Sequence, residues 1–478
     1  MTAAPLVLDG GPIGISDVVA VARDGRAVSL SADARDRLAG QRRLILDMVE
    51  RGAPVYGLTT GVGALKRVRV DAAEQGRFNR ELILSHRIGH GPLAPQAVVR
   101  AAMLVRAQGL VHGRAGVRPE LVEAYLAALR DDLRPSVHTI GSLGVADLGP
   151  LAEIAWALVE AGFEPEAKEG LAMLNANSFA IGWACLAIDR AQAAVHALEA
   201  SAALAFEGML ANVSVLEPAV AAARPYPGLA ASLARMRDLL AGGTLLAGQL
   251  ARELQDPLTF RVAPQVHGGA RDALAHAAGQ VEVELRSGAD NPLLDAEAGR
   301  AYSCGNFEIG MVAAALDYVR IALAHAATVA AERCQKLVTP AHTGLPAGLR
   351  ASEDVAGDGL NIFVYGATAL AVEARLLAQP ASLELPTTST AEGIEDRMSN
   401  AVLCARRLDE QAGLCERLAA MELVTAAQAV DARDRRAELG RGTSSAYALV
   451  REHVAPYRVD APPPQDLDRL CAALPTLP

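Results

Sequence analysis

The chain has 478 residues, enough to bury a sizeable core in one large domain or two to three ordinary ones. Its net charge of -10 and the absence of any basic tract exclude nucleic acid as the main partner, because a phosphate backbone asks for a basic face. Hydrophobic residues make up 51% and aromatics only 4%; the excess is Ala, Leu and Val, which with Arg and Glu favours helix, so a mostly α-helical fold is predicted. The six cysteines are far apart, with no Cys-x-x-Cys pair and no His at metal spacing, and read as reduced thiols of a cytoplasmic protein without a metal site. Met1 to Gly11 lacks a charged start followed by an apolar block, so no secretory signal is expected.

Leu6 to Val70 mixes short apolar pieces with one predicted helix, Ala32 to Arg51, and closes on a loop that has three glycines between Gly57 and Gly63. Tyr56, just before it, reads on its own as a hydrogen-bonded core tyrosine. A helix over Asn79 to Ile88 bears Leu82, Ile83, Ser85 and His86, and a lone histidine on such a face is more often a packing residue than a ligand. Gly141 to Leu151 (Gly-Ser-Leu-Gly-Val-Ala-Asp-Leu-Gly-Pro-Leu) reads as a loop feeding a helix N-terminus, with Pro150 at the first helical position and Asp147 upstream to meet unpaired amides. Such a terminus favours developing negative charge, although Gly-rich turns before helices are usually plain connectors. Gly170 to Ile188 is the longest uncharged run and would reach across a bilayer; Asn175, Asn177 and Ser178 favour a buried bundle helix instead. Val312, Leu316, Val319 and Leu323 recur at helical spacing on a predicted long helix, Ile309 to Val329. The Glu395-Asp396-Arg397 run reads as a solvated turn, and Ala461 to Gln465 as a Pro-rich surface terminus.

Taken together and in order, these stretches resemble the histidine and phenylalanine ammonia-lyase family, over roughly Leu6 to Leu418. Tyr56 to Gly63 is similar to the family's Tyr-Gly-x-Asn-Thr-Gly-Phe-Gly loop, with Thr59 and Val62 in place of Asn and Phe; the resemblance gives Tyr56 a role in proton transfer. Ser85-His86 falls where the histidine branch has Ser-His. Lys168 to Asn175 parallels Lys-Glu-Gly-Leu-Ala-Leu-Leu-Asn and puts Asn175 beside the prosthetic group. Gln255 to Arg261 and Pro264-Gln265-Val266 resemble the segment whose arginine clamps a substrate carboxylate, with Leu258 replacing a tyrosine. Asp290-Asn291-Pro292-Leu293 and Ser303 to Phe307 match two further segments, implying substrate contacts for Asn306 and Phe307; Glu308 replaces the usual histidine after them. Glu395 falls on a catalytic glutamate, and Arg397 on a histidine, of a loop within Pro380 to Asn400.

The departure from the pattern lies in Gly141 to Leu151. In the family, Ala-Ser-Gly in this loop cyclises to a methylidene-imidazolone, an electrophile that takes up the substrate's amine. Here Gly144 is followed by Val145-Ala146-Asp147, one residue short, without the uncrowded glycine nitrogen that attacks or the serine hydroxyl that leaves, and Leu143 after Ser142 offers no substitute. The loop therefore reads as degenerate, with no cofactor.

The resemblance implies a long-helix bundle of the histidine ammonia-lyase type: residues 1–195 an N-terminal domain with active-site loops, 196–478 the central bundle and C-terminal helices. It also implies a homotetramer with pockets shared between subunits and a small amino acid or related carboxylate as ligand, with no membrane partner. Three functions fit: an enzyme without the electrophile that works by acid-base elimination, isomerisation or cyclisation; an ordinary ammonia-lyase; or a silent binding protein. The first is preferred, because polar pocket residues left unpaired in an inert core cost ~1 to 3 kcal/mol each.

Overall fold

A computed structural model describes residues 4–248, 250–350, 357–383, 393–458 and 462–478. Part of the Pro380 to Asn400 loop and Ala461 of the tail lie outside the described residues. The protein is mostly helical, as its composition predicts. By contacts it divides into two compact units, each gathered from three stretches of chain: Met1–Asp189 with Ala277–Leu316 and Pro380–Arg406, and Arg190–His276 with Asp317–Gln379 and Arg407–Pro478. The sequence alone suggests one boundary near 195. All the divisions but the one at Gln379–Pro380 fall inside long helices, where no Pro- or Gly-rich linker marks them.

In the first unit, strand β1 (Leu6–Leu8) pairs in parallel with β2 (Val28–Leu30), and helix α1 (Ile15–Arg23) crosses between them. Helix α2 (Ala32–Glu50) starts where predicted because the Ser31 side chain accepts from the Ala34 amide at 3.1 Å, satisfying one orphan donor of the first turn. It buries Ala34, Leu38, Arg42, Ile45 and Met48, one face at helical spacing. Arg42 on that face donates to the Ala167 carbonyl at 2.6 Å and to Glu166 at 3.0 Å, fixing the turn that leads into the pocket floor.

Helix α3 (Gln75–Ser85) is followed by β3 (His90–Leu93), helices α4 (Gln96–Val111) and α5 (Pro119–Arg130), and β4 (His138–Ile140), which pairs antiparallel with β3. Helix α4 packs on α1 and α5 and is apolar nearly all round, as a central core helix must be. Fully buried Leu104 and Leu110 on it each stabilise the fold by about 1.5–3 kcal/mol.

Three more helices follow: α6 (Leu148–Glu160), α7 (Glu169–Leu174) and α8 (Ser178–Met209). The uncharged run from Gly170 is thus split between α7 and α8 at Asn175 to Asn177. Gly182 of α8 lies so near α4 that a Cβ there would stand 2.7 Å from the Ala102 nitrogen, so close packing requires glycine. Helices α3, α6 and α7 pack mutually and carry the pocket. A small hairpin, β5 (Leu293–Asp295) with β6 (Arg300–Tyr302), completes the unit's sheets.

The second unit is built from the later part of α8 and other helices, including parts of Gly310–Leu337 and Ala401–Ala432. Its interior contains the fully buried Arg333–Glu422 pair, with the Ser201 hydroxyl donating to Glu422 at 2.6 Å. Tyr318, Ile321, Tyr365, Val372 and Leu376 of this unit are exposed. Glu169–Met209 and Gly310–Leu337 are long and apolar enough to cross a membrane by length and composition, and the most apolar 18-residue window is wholly buried within the protein in the first and two-thirds buried in the second.

Candidate functional site

The Gly141 to Pro150 loop is held by its own backbone and by one carboxylate. Gly144 has φ +83, and a Cβ there would lie 2.1 Å from the Ser399 hydroxyl and 3.0 Å from the Asn400 nitrogen. The Gly144 carbonyl accepts from Ser399 Oγ at 2.9 Å and Asn177 Nδ2 at 3.2 Å, and the Leu143 carbonyl from the amides of Ser399 and Asn400. Ala146 sits at φ +66, a left-handed conformation costing a residue with a Cβ about 1–2 kcal/mol. The surrounding hydrogen bonds over-determine that geometry.

Helix α6 begins at Leu148, two residues earlier than predicted, so Pro150 falls within the first turn, where its missing N–H costs nothing. Asp147 precedes α6 but its side chain does not cap that helix. It reaches α8 instead, accepting from the Ala180 amide at 2.8 Å and from Phe179, while Ser142 Oγ donates to its other oxygen at 2.8 Å. Burial pushes the Asp147 carboxyl up to about 6, and those three donors hold it from rising further.

Above this loop opens a cavity of about 670 Å³, within the first unit. Of the residues picked out in the sequence, Tyr56, His86, Val145, Ala146, Asn175, Phe307 and Glu395 all line it. Asp147 is buried and lines no part of it, whereas Ser142, which donates to Asp147, does. Phe78, Glu81, Ser142, Asn291 and Arg397 line it too, without having been singled out. Phe78 and Glu81 were within reach of pattern: stepping back by four from His86 and Ser85 on one helical face gives Leu82, Phe78 and Glu81. A second cavity of about 330 Å³ shares Tyr56, Val145, Asn291, Phe307, Glu395 and Arg397 with the first and adds Lys66, Cys304 and Asp396.

The Tyr56 hydroxyl accepts from the Gly63 amide at 2.9 Å. Burial raises its pKa, partly offset by that bond, and nearby Glu395 raises it further, so the phenol keeps its proton. Glu395 is itself raised, by burial and then by Asp396. His86 Nδ1 faces the Leu82 carbonyl at 2.8 Å; a carbonyl only accepts, so Nδ1 carries the proton and Nε2 is an acceptor. Asn175, at the end of α7, donates to the Asn291 carbonyl at 2.8 Å, joining two walls of the cavity. Among the described residues no cluster of three or more His, Cys, Asp or Glu is placed to hold a metal.

Three expected residues are placed elsewhere. Asn306 is exposed and lines neither cavity, because its turn directs the neighbouring Phe307 inward. Arg261 and Gln265 belong to the second unit, where they line a cavity of about 350 Å³ with Asn212, Asp256 and Leu258, and Arg261 Nε donates to the Asp256 carbonyl at 2.9 Å. Leu258, at the position of the family's tyrosine, is largely exposed there.

Comparison with known proteins gives one family and a consistent set of relatives. The family model "Aromatic amino acid lyase" matches residues 13–452. A histidine ammonia-lyase of Deinococcus radiodurans is 35% identical over 467 residues, covering 92% of this chain and 88% of that protein. Among solved structures, the ergothioneine-degrading ergothionase of Treponema denticola, in complex with desmethyl-ergothioneine sulfonic acid, superposes with a TM-score of 0.91 at 29% identity, over 99% of this chain and 98% of its own. A tyrosine aminomutase from Streptomyces globisporus gives 0.91 at 28%, over 99% and 97%.

Proposed function

The chain belongs to the aromatic amino acid lyase family, and on that premise we propose that it eliminates the nitrogen of an α-ammonium carboxylate by acid-base chemistry, without the methylidene-imidazolone electrophile. The observation that carries this is the loop at Val145-Ala146-Asp147. Ring closure needs an amide nitrogen that attacks the carbonyl two residues back, and a serine hydroxyl that leaves. The Asp147 nitrogen is spent on the Ala176 carbonyl at 2.8 Å, and Ala146 has no hydroxyl to lose. Ser142, the nearest hydroxyl, is engaged with Asp147 and with the Gly144 amide. These residues do not fit the group, and no step is routed through it.

Elimination, isomerisation and cyclisation are all open to such a site; the cavity favours elimination of a good leaving group. Without an electrophile to take up the amine, the nitrogen must leave unaided, and a quaternary ammonium does so as a neutral tertiary amine. Tyr56, Phe78 and Phe307 offer ring faces and Glu81 and Glu395 negative charge, the chemistry that receives a quaternary ammonium. Only 4% of residues are aromatic, so three on one cavity weigh in favour. The ergothioneine-degrading relative acts on such a betaine. In this reading Tyr56 takes the β-proton as it passes its own to Glu395, the C–N bond breaks, and an unsaturated acid and a tertiary amine result. The acceptor Nε2 of His86 suits an imidazole N–H on the substrate side chain. The exposed apolar side chains of the second unit favour a homotetramer, in which Arg261 and Gln265 of a neighbouring copy would add a carboxylate clamp.

The test joins mass and turnover. Intact mass is expected to equal the encoded mass, with no loss of two waters. Trimethylated betaines of histidine-like amino acids should release trimethylamine with growth of the unsaturated acid's ultraviolet absorbance, whereas histidine, phenylalanine and tyrosine release negligible ammonia. Tyr56→Phe should cut turnover by about 10²-fold with little change in binding. A mass deficit of two waters with rapid ammonia release would restore an ordinary ammonia-lyase; binding without conversion of any betaine would leave a silent binder.

A further inference from the structure

Arg397 supplies the one Lys or Arg side chain among the described residues lining the larger cavity, against the carboxylates Glu81 and Glu395. A ligand carboxylate entering this space finds its one Lys or Arg partner, among the described residues, at Arg397, which also lies on the wall shared with the second cavity. On this basis, and resting on the reading of the cavity as a site for an α-ammonium carboxylate, we propose that Arg397 is a carboxylate anchor of the cavity itself, acting in addition to Arg261, and that Glu308 is the internal anion it exchanges for the ligand.

The geometry suits an exchange. The Arg397 Nε stands 3.3 Å from Glu308 Oε2 and its Nη2 3.5 Å from Oε1, a loose pair with both side chains partly exposed. Pairs of that kind contribute little, so giving up the Glu308 contact itself sacrifices little stability, while Nη1 continues to donate to the Met398 carbonyl at 3.1 Å. Glu308 is not stranded when this happens: its Oε1 also accepts from the Gly310 amide at 2.7 Å, at the start of a long helix whose N-terminus favours a carboxylate. The backbone of Glu308 bridges that of Val145, so the exchange takes place beside the altered loop. Both residues stand where the family pattern has histidine, and the two changes together put a forked donor on the cavity wall and its resident acceptor beside it.

L-Histidine and histamine share a side chain and differ in the carboxylate, so the ratio of their affinities, by calorimetry, isolates the anchor. The parent should prefer histidine by about tenfold or more. Arg397→Gln should lower the ratio by about threefold or more, leaving the share that Arg261 supplies, Arg397→Lys should restore part of it because charge returns without the fork, and Glu308→Gln should raise it by removing the competitor. A parent with no preference overturns the proposal. So does Arg397→Gln that keeps the parent's ratio, or that loses both ligands together while Arg397→Lys and Glu308→Gln behave like the parent, since that marks a structural role. Selective loss of the ratio in Arg261→Gln alone would assign the anchor to Arg261 only. Because the readout is binding, absence of amine release sinks the proposed reaction and leaves this ratio to be judged on its own.

Discussion

Two ion-pair sites in the first unit use the same groups to opposite ends. Below the cavity, Asp290 receives Lys168 Nζ at 2.7 Å and Arg106 Nη2 at 3.3 Å, with all three side chains at most 2% exposed. At the cavity, Glu308 and the wall residue Arg397 beside it are 36% and 50% exposed and no closer than 3.3 Å. In the buried site no partner can be withdrawn without stranding charge where water does not reach; in the wall site either can turn to solvent or to a ligand. The buried site is framework, anchoring the Asp290-Asn291 turn to which Asn175 is tied, and the wall site is free to respond.

The sharpest way to break the comparison is Asp290→Ala. It leaves Lys168 and Arg106 buried without their anion and should cost about 3–5 kcal/mol in chemical denaturation, as removing one member of a buried pair does. A loss below about 1 kcal/mol would mean the two sites do not differ in kind.

Next in size is the pH dependence of the loop carboxylate. Asp147 is raised from 3.8 to about 6, so between those values the folded chain binds a proton that the unfolded chain has released. Stability from this group is therefore highest below about pH 4 and falls as pH rises toward 6, by about 3 kcal/mol in all at about 1.4 kcal/mol per pH unit. Asp147→Asn lacks this fall, so in thermal melts its stability should rise relative to the parent's as pH goes from about 4 to about 6. Parallel curves would show that Asp147 stays ionised in the folded chain.

The smallest effect is expected at the wall. Arg397→Gln and Glu308→Gln should each change unfolding free energy by less than about 1 kcal/mol, while changing ligand preference as described above. A loss of several kcal/mol at either position would move that pair into the framework class.

Local order was legible because it depends on neighbours in sequence. Ser31 and the apolar spacing after it set the start of α2, which ends within one residue of the predicted Arg51. The lateral reach of Asp147 was not legible, because the helix whose amides it accepts from begins at Ser178, beyond two other helices. Nor could spacing show Arg397 as anything but part of a charged turn.

By itself, the sequence determined the helical class, the loops at Tyr56 and Gly141, and the missing serine and glycine of the central triad, since composition, periodicity and covalent chemistry are all local. Through the ordered motifs it also pointed to seven residues that do line one cavity. Only tertiary structure decided which charges face each other: Ser399 reaches Gly144 across 255 residues and Arg397 meets Glu308 across 89. It also turned Asn306 outward and placed Arg261 in the other unit. Those pairings follow from how helices pack their buried faces, a many-body outcome that no short stretch of sequence encodes.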